Sequence, residues 1–183
     1  MRLPVRTALG ACGRSTAMLA ITLLALLVLL APNPGRAKDP ARLRIDLVEY
    51  GIYSVSKTNC HRDEQSIERC DRGDIRHVST TWTIPARHEV EFGLKYRVTG
   101  APGGKLTLKR LWLLPGSGFL PPGKEPIKQL VRFDTVSTGG IVLASYGFDD
   151  PWELVPGPWT LEIWDDDKKL FSQTFNVVVQ EKE

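Results

Sequence analysis

The sequence predicts an all-β protein: an antiparallel β-sandwich of seven or eight strands behind a helical signal peptide, with an open barrel as the alternative architecture. Three observations carry that prediction. Apolar and polar residues alternate over much of the chain, most cleanly at Val90, Phe92, Leu94, Tyr96 and Val98, and this is the period of a half-buried strand. Turns rich in Gly and Pro separate the alternating runs. No stretch after residue 37 repeats its apolar residues at helical spacing.

The first 37 residues differ from the rest. Arg2, Arg6 and Arg14 precede an apolar run from Ala17 to Ala31, after which Pro32, Pro34 and Gly35 break the helix. The run has 15 residues, short of the roughly 20 that a spanning helix needs. Gly35-Arg36-Ala37 places small residues where a signal peptidase reads. Residues 1–37 are therefore expected to be a signal peptide cleaved after Ala37. The alternatives are cleavage after Ala31, or an uncleaved anchor as the sole membrane contact. Residues 38–42 read as a linker, and 43–180 as one β domain long enough to bury a core without a metal.

Within that domain the strands follow in order. Leu43, Ile45 and Leu47 alternate, and then Val48, Tyr50 and Ile52 continue on the other parity. Such a slip predicts a bulge near Leu47-Val48, or a strand that crosses between sheets. Lys57–Asp74 is strongly polar and reads as a loop with one helical turn around Asp63–Ile67. Ile75–Ile84 is rich in β-branched residues and stops at Pro85. Glu89–Val98 is the clearest strand. Lys105–Leu114 follows, with an apparent slip at Lys109-Arg110 that turns Trp112 outward. Pro115–Pro126 is dense in Pro and Gly and reads as a surface loop carrying Phe119. Ile127–Val136 and Ile141–Phe148 are further strands. Residues 159–164 and 170–179, joined by Asp165-Asp166-Asp167, form a hairpin.

Charge and cysteine content narrow the function. The chain has 24 Lys and Arg against 21 Asp and Glu, and four of the Arg lie in the leader. The remainder carries 20 basic and 21 acidic residues, so it has no electrostatic case for nucleic acid. Cys12 leaves with the leader. Cys60 and Cys70 are the pair that stays, and an oxidising compartment would bond them. Periplasmic or secreted localisation follows as an expectation.

A family resemblance rests on the two ends of the domain. Asp150-Pro151-Trp152-Glu153-Leu154-Val155-Pro156-Gly157-Pro158-Trp159, with Lys169-Leu170-Phe171 and Phe175-Asn176-Val177, resembles the close of the bacterial domain-of-unknown-function family numbered 3859. Val48-Glu49-Tyr50-Gly51-Ile52-Tyr53 is similar to its opening, and Glu89–Tyr96 fits its middle. The likeness covers roughly Leu43–Val179, with the Cys60–Cys70 segment outside its motifs. It implies an exported, immunoglobulin-like β domain, and no activity transfers with it.

No set of residues converges on catalysis. His61, His77 and His88 flank no nucleophile elbow, and Ser117 sits in the Pro-rich loop with no helix after it. Asp149, Asp150 and Glu153 beside Trp152 are the candidates for the acid pair of a glycoside hydrolase. Asp165–Asp167 supply too few ligands for calcium, and His61-Arg62-Asp63-Glu64 has no transition-metal spacing. No metal or cofactor is expected. Five Trp make a surface platform conceivable, and the candidate binding residues are Trp112, Phe119, Trp152 and Trp164. The leading expectation is a non-enzymatic binding or interaction module of the cell envelope, with a protein or glycan partner. The alternative is a carbohydrate-binding module or an envelope glycoside hydrolase acting near residues 149–153.

Overall fold

The computed structural model describes residues 42–100 and 103–179; the signal-peptide expectation for residues 1–37 lies outside them. Nine strands form two sheets. They are β1 (Arg44–Arg62), β2 (Glu68–Ser79), β3 (Thr83–Pro85), β4 (Glu91–Thr99), β5 (Lys105–Leu113), β6 (Gln129–Ser137), β7 (Ile141–Gly147), β8 (Gly157–Asp165) and β9 (Lys168–Val178). One sheet has the order β2-β1-β4-β7 and the other β3-β9-β8-β5-β6. Every pairing is antiparallel except β3 with β9, which is parallel. The only helical piece among the described residues is a 3-10 turn at Pro151–Glu153.

The core is aromatic and lies between the sheets. On β4, Phe92, Leu94, Tyr96 and Val98 are fully buried, as their alternation predicts. Phe92 meets Trp112, Phe148, Trp159 and Phe175 at ring-centre distances of 5.2–5.5 Å. These tilted and edge-on contacts suit the quadrupoles of the rings. The bulge expected in β1 is present, because its register with β4 shifts between Leu47 and Glu49. Gly51 then lets β1 run tight against β2. It has φ +129°, and a Cβ there would lie 1.9 Å from the Ser79 carbonyl oxygen.

Two strand expectations need correction. Lys57–Asp74 is not a loop with a helical turn; it is the outer half of the β1–β2 hairpin. Its cross-strand contacts are polar, including Asn59 with Asp71 at 2.8 Å and Arg69 with Asp63 at 2.7 Å. The ribbon's inward-facing side chains, Glu68, Arg69 and Arg72, are charged rather than apolar, so periodicity cannot detect it. At the tip, the Asp63 carboxylate accepts the backbone N–H groups of Gln65 and Ile67 at 2.9 and 3.0 Å. That turn chemistry replaces the helical turn.

The second correction concerns β5. Its register with β6 runs unbroken from Lys105↔Ser137 to Leu113↔Gln129. Leu108, Arg110 and Trp112 all face inward and are buried. The slip read at Lys109-Arg110 arises because a charged residue holds a core-facing position. Arg110 is kept there by Asp134 on β6, at 3.0 and 3.1 Å.

Cys60 and Cys70 form a disulfide that ties the two arms of the ribbon. The closed loop spans 11 residues, and loop-closure entropy then contributes about 2.5–3 kcal/mol. Chemical denaturation with and without a reductant is expected to show a loss of that size. Equal midpoints would mean that the reduced ribbon stays closed through its polar contacts alone.

Candidate functional site

The ribbon is longer than the sheet it begins in. Tyr53 is the last β1 residue paired with β4, and both arms run on past that point. The overhang is fastened to the loop after β7 by Lys57 with Asp149 and by a two-pronged Arg62–Asp150 pair at 2.6 and 3.1 Å. Its tip inserts Ile67, 2% exposed, into the core. Its second arm thereby comes to face β5, β6 and β7.

A cavity of about 20 Å³ lies beneath this strap, room for roughly one water-sized group. Glu68, Arg69 and Arg72 of the ribbon line it, opposite Arg110 and Trp112 of β5 and Arg132 of β6. Four guanidinium groups from three strands therefore converge on one small space. Three have carboxylate partners: Arg69 pairs with Asp63, Arg72 with Glu91 and Arg110 with Asp134. Arg132 has none among the described residues. Burial pushes its pKa down to about 10, helped by Arg69, Arg110 and Arg72. Burial also lowers Arg110, against the pull of Asp134. Asp134 and Arg110 act in opposite senses on Tyr96, but burial dominates and raises that phenol to about 12.

The predicted site residues scatter rather than converge. Trp112, expected to face solvent, is 3% exposed and packs in the core. Phe119, expected on a surface loop, is fully buried. The Pro-rich loop folds back on itself through a Phe119↔Ile127 bridge, and its Phe ring plugs one end of the sandwich against Tyr146, Trp152 and Trp159. Trp152 is half-buried and serves the same plug. Only Trp164 lies on the outer sheet face. The Lys109 and Lys169 ammonium groups sit 4.9 and 5.1 Å from its ring centre, and its indole N–H donates to Glu162. The ring is thus flanked by cations from the neighbouring strands, a poor platform for a sugar.

The candidate acids are likewise engaged. Asp149 and Asp150 fasten the ribbon. Glu153 is fully buried and accepts the Tyr146 hydroxyl and the backbone N–H groups of Asp149 and Asp150 at 2.7–3.2 Å. Its pKa is raised by burial, against those three donors. The histidines stand apart: His77 and His88 bond backbone carbonyl oxygens, and His61 is exposed. Cys60, Glu68 and Cys70 are close enough to resemble a metal set, but the two sulfurs are bonded to each other.

A second surface was missed in the sequence. β6 is an edge strand of nine residues. Val131 and Phe133 stand out from it at 44% and 69% exposure. They sit beside Leu111 and Lys109 of β5, and Leu120 is 63% exposed on the adjoining loop. Val131 and Phe133 alternate with Leu130, Arg132 and Asp134. That alternation marks both as leaving the core, once Arg132 and Asp134 are known to point inward.

Comparison with known proteins agrees with the fold. The family model described as "Domain of unknown function (DUF3859)" matches residues 41–177, a range that includes the cysteine ribbon. A crystal structure of an immunoglobulin-like protein from Pseudomonas aeruginosa is similar, with 25% sequence identity and a TM-score of 0.56. The match covers 76% of this chain and 99% of that one. Curated proteins gave no match. The chain belongs to the DUF3859 family, and its fold is an immunoglobulin-like β-sandwich.

Proposed function

We propose that this member of the family works by binding rather than by catalysis, as an envelope module that captures an extended protein segment along β6. The observation that carries the reading is the β6 edge, unpaired among the described residues, with Val131 and Phe133 exposed beside it. An unpaired edge offers a row of backbone donors and acceptors, and alternate apolar side chains add selectivity to a strand laid against it. The other edges fit this role less well. β3 has three residues and ends in Pro85, β2 is dense in charge, and the loop after β7 is occupied by the ribbon. Export is supported by the leader-like residues 1–37 and is compatible with the Cys60–Cys70 disulfide. No helix of the described residues is long and apolar enough to cross a membrane.

The test is capture from a periplasmic extract, compared between the native protein and Phe133→Asp, with hydrogen exchange on the captured complex. Loss of capture in the variant and new protection of the β6 amides are expected. Capture that survives Phe133→Asp, or protection elsewhere, would overturn the reading. Binding on a glycan array that disappears in Trp164→Ala would replace it with the carbohydrate alternative.

A further inference from the structure

We propose that the strand captured by β6 is β6 of a second copy of this chain, so that two molecules join edge to edge in an antiparallel pair centred on Phe133. The proposal rests on the reading of β6 as a strand-binding edge and names its partner. The backbone on that edge is poised to pair. The Leu114 N–H donates to the carbonyl oxygen of Lys128, just before β6, at 3.0 Å. Even-numbered residues therefore turn their N–H and C=O groups toward β5, and odd-numbered ones turn theirs away. Ile127 shows the second orientation, exchanging both backbone bonds with Phe119 at 2.9 Å. Val131, Phe133 and Thr135 are in the same phase, and among the described residues their outward groups meet no backbone partner.

The order of side chains along β6 selects the partner. A two-fold axis perpendicular to the sheet makes the pair isologous, so each residue must suit the one it meets. With the axis at Phe133, the middle of the strand Gln129–Ser137, Arg132 of each copy lies opposite Asp134 of the other. These are non-hydrogen-bonded pairs, in which Cα atoms approach to roughly 4.5 Å and side chains come closest. Arg132 thereby gains the carboxylate partner that it lacks among the described residues of its own chain. Leu130 meets Val136 on the inner face, Val131 meets Thr135 on the outer face, and the two exposed Phe133 rings adjoin at the axis. Aromatic, β-branched and opposite-charge pairs all favour pairing. Moving the axis by one residue sets Arg132 against Arg132 or Asp134 against Asp134, and like charges placed opposite one another oppose it. The strand is complementary to itself in the register centred on Phe133.

Sedimentation equilibrium of the purified protein, with residue-resolved hydrogen exchange at low and high concentration, tests the pairing. A monomer–dimer equilibrium is expected, and the Val131, Phe133 and Thr135 amides should gain protection as the dimer forms. The Arg132 and Asp134 amides face β5 and should not change. Thr135→Pro removes one outward N–H at an edge position where proline is tolerated, and it is expected to abolish the dimer. Arg132→Glu sets like charges across the axis and is expected to weaken the dimer by on the order of tenfold or more. Arg69, Arg72 and Arg110 surround that position and can accommodate the new carboxylate within the fold. Near-ultraviolet circular dichroism of the aromatic core reports whether each variant stays folded. The proposal is overturned if the protein remains a monomer at millimolar concentration, if a dimer forms with those three amides unprotected, or if Arg132→Glu dimerises like the native protein. A monomer that captures a foreign strand and protects the same amides would remove the second copy as partner and leave β6 as a binding edge. A monomer in which no capture protects them would remove both.

Discussion

Replacing Phe92 with alanine is expected to remove about 4 kcal/mol of folding stability, within the range for truncating a large aromatic in a core. Phe92 is fully buried, and it touches rings carried by β5, β8 and β9 of the opposite sheet as well as Phe148 after β7. Truncation removes the apolar transfer free energy of the side chain. It also leaves a cavity that four aromatic rings, themselves tightly packed, cannot collapse to fill; Phe→Ala changes of this kind cost roughly 3–5 kcal/mol. For a domain of this size that corresponds to a fall in Tm of roughly 10–20 °C. Phe133→Ala is the internal control. Its side chain is 69% exposed, so its loss should stay within about 0.5 kcal/mol. Urea denaturation of the two variants side by side checks both values. A Phe92→Ala loss below about 1.5 kcal/mol would show that the two sheets do not depend on this residue for their contact.

Glu153→Ala is expected to cost about 3 kcal/mol or more, although the residue touches no other charged side chain through a hydrogen bond. Its two carboxylate oxygens satisfy the Tyr146 hydroxyl and two backbone N–H groups at the start of the 3-10 turn. Alanine leaves all three donors without a partner in a dry place, each at roughly 1–3 kcal/mol before any relaxation. Glu153→Gln keeps the shape and most of the bonding, and it isolates the effect of charge. Burial raises the folded-state pKa of Glu153 above its ordinary value near 4.5. The folded state therefore binds a proton that the unfolded state has already released. The stabilisation this provides is complete below pH 4.5 and declines as the pH rises through the folded pKa. The native protein should thus lose ground against Glu153→Gln as the pH rises above about 4.5 and through the folded-state pKa. Stability curves for the two proteins that stay parallel across that range would contradict the raised pKa.

Much of this architecture is written in local patterns. Alternation at Val90–Val98 identified β4 and the face it buries, because a strand's side chains must alternate whatever surrounds them. The parity change at Leu47-Val48 identified the β1 bulge for the same reason, and the Cys60–Cys70 pairing followed from there being no other partner after the leader. Local pattern failed where burial and polarity part company. Arg110 reads as a surface residue and is a core-facing one, and that single exchange turned Trp112 the wrong way. Phe119 reads as a loop aromatic because Pro and Gly surround it, yet the loop closes on Ile127 and drives the ring inward.

The sequence by itself determined the fold class, the strand that organises the core and the crosslink. Tertiary structure alone decided what the surfaces are. Arg69 and Arg72 of the ribbon are far in the chain from Arg110 and Arg132, and the two sets become neighbours only when an overhanging ribbon folds across the flank between two sheets. β6 becomes a free edge only through the strand order. The physical reason is range: alternation is imposed on each residue by its own backbone, whereas charge convergence and edge exposure depend on register and sheet packing between distant segments.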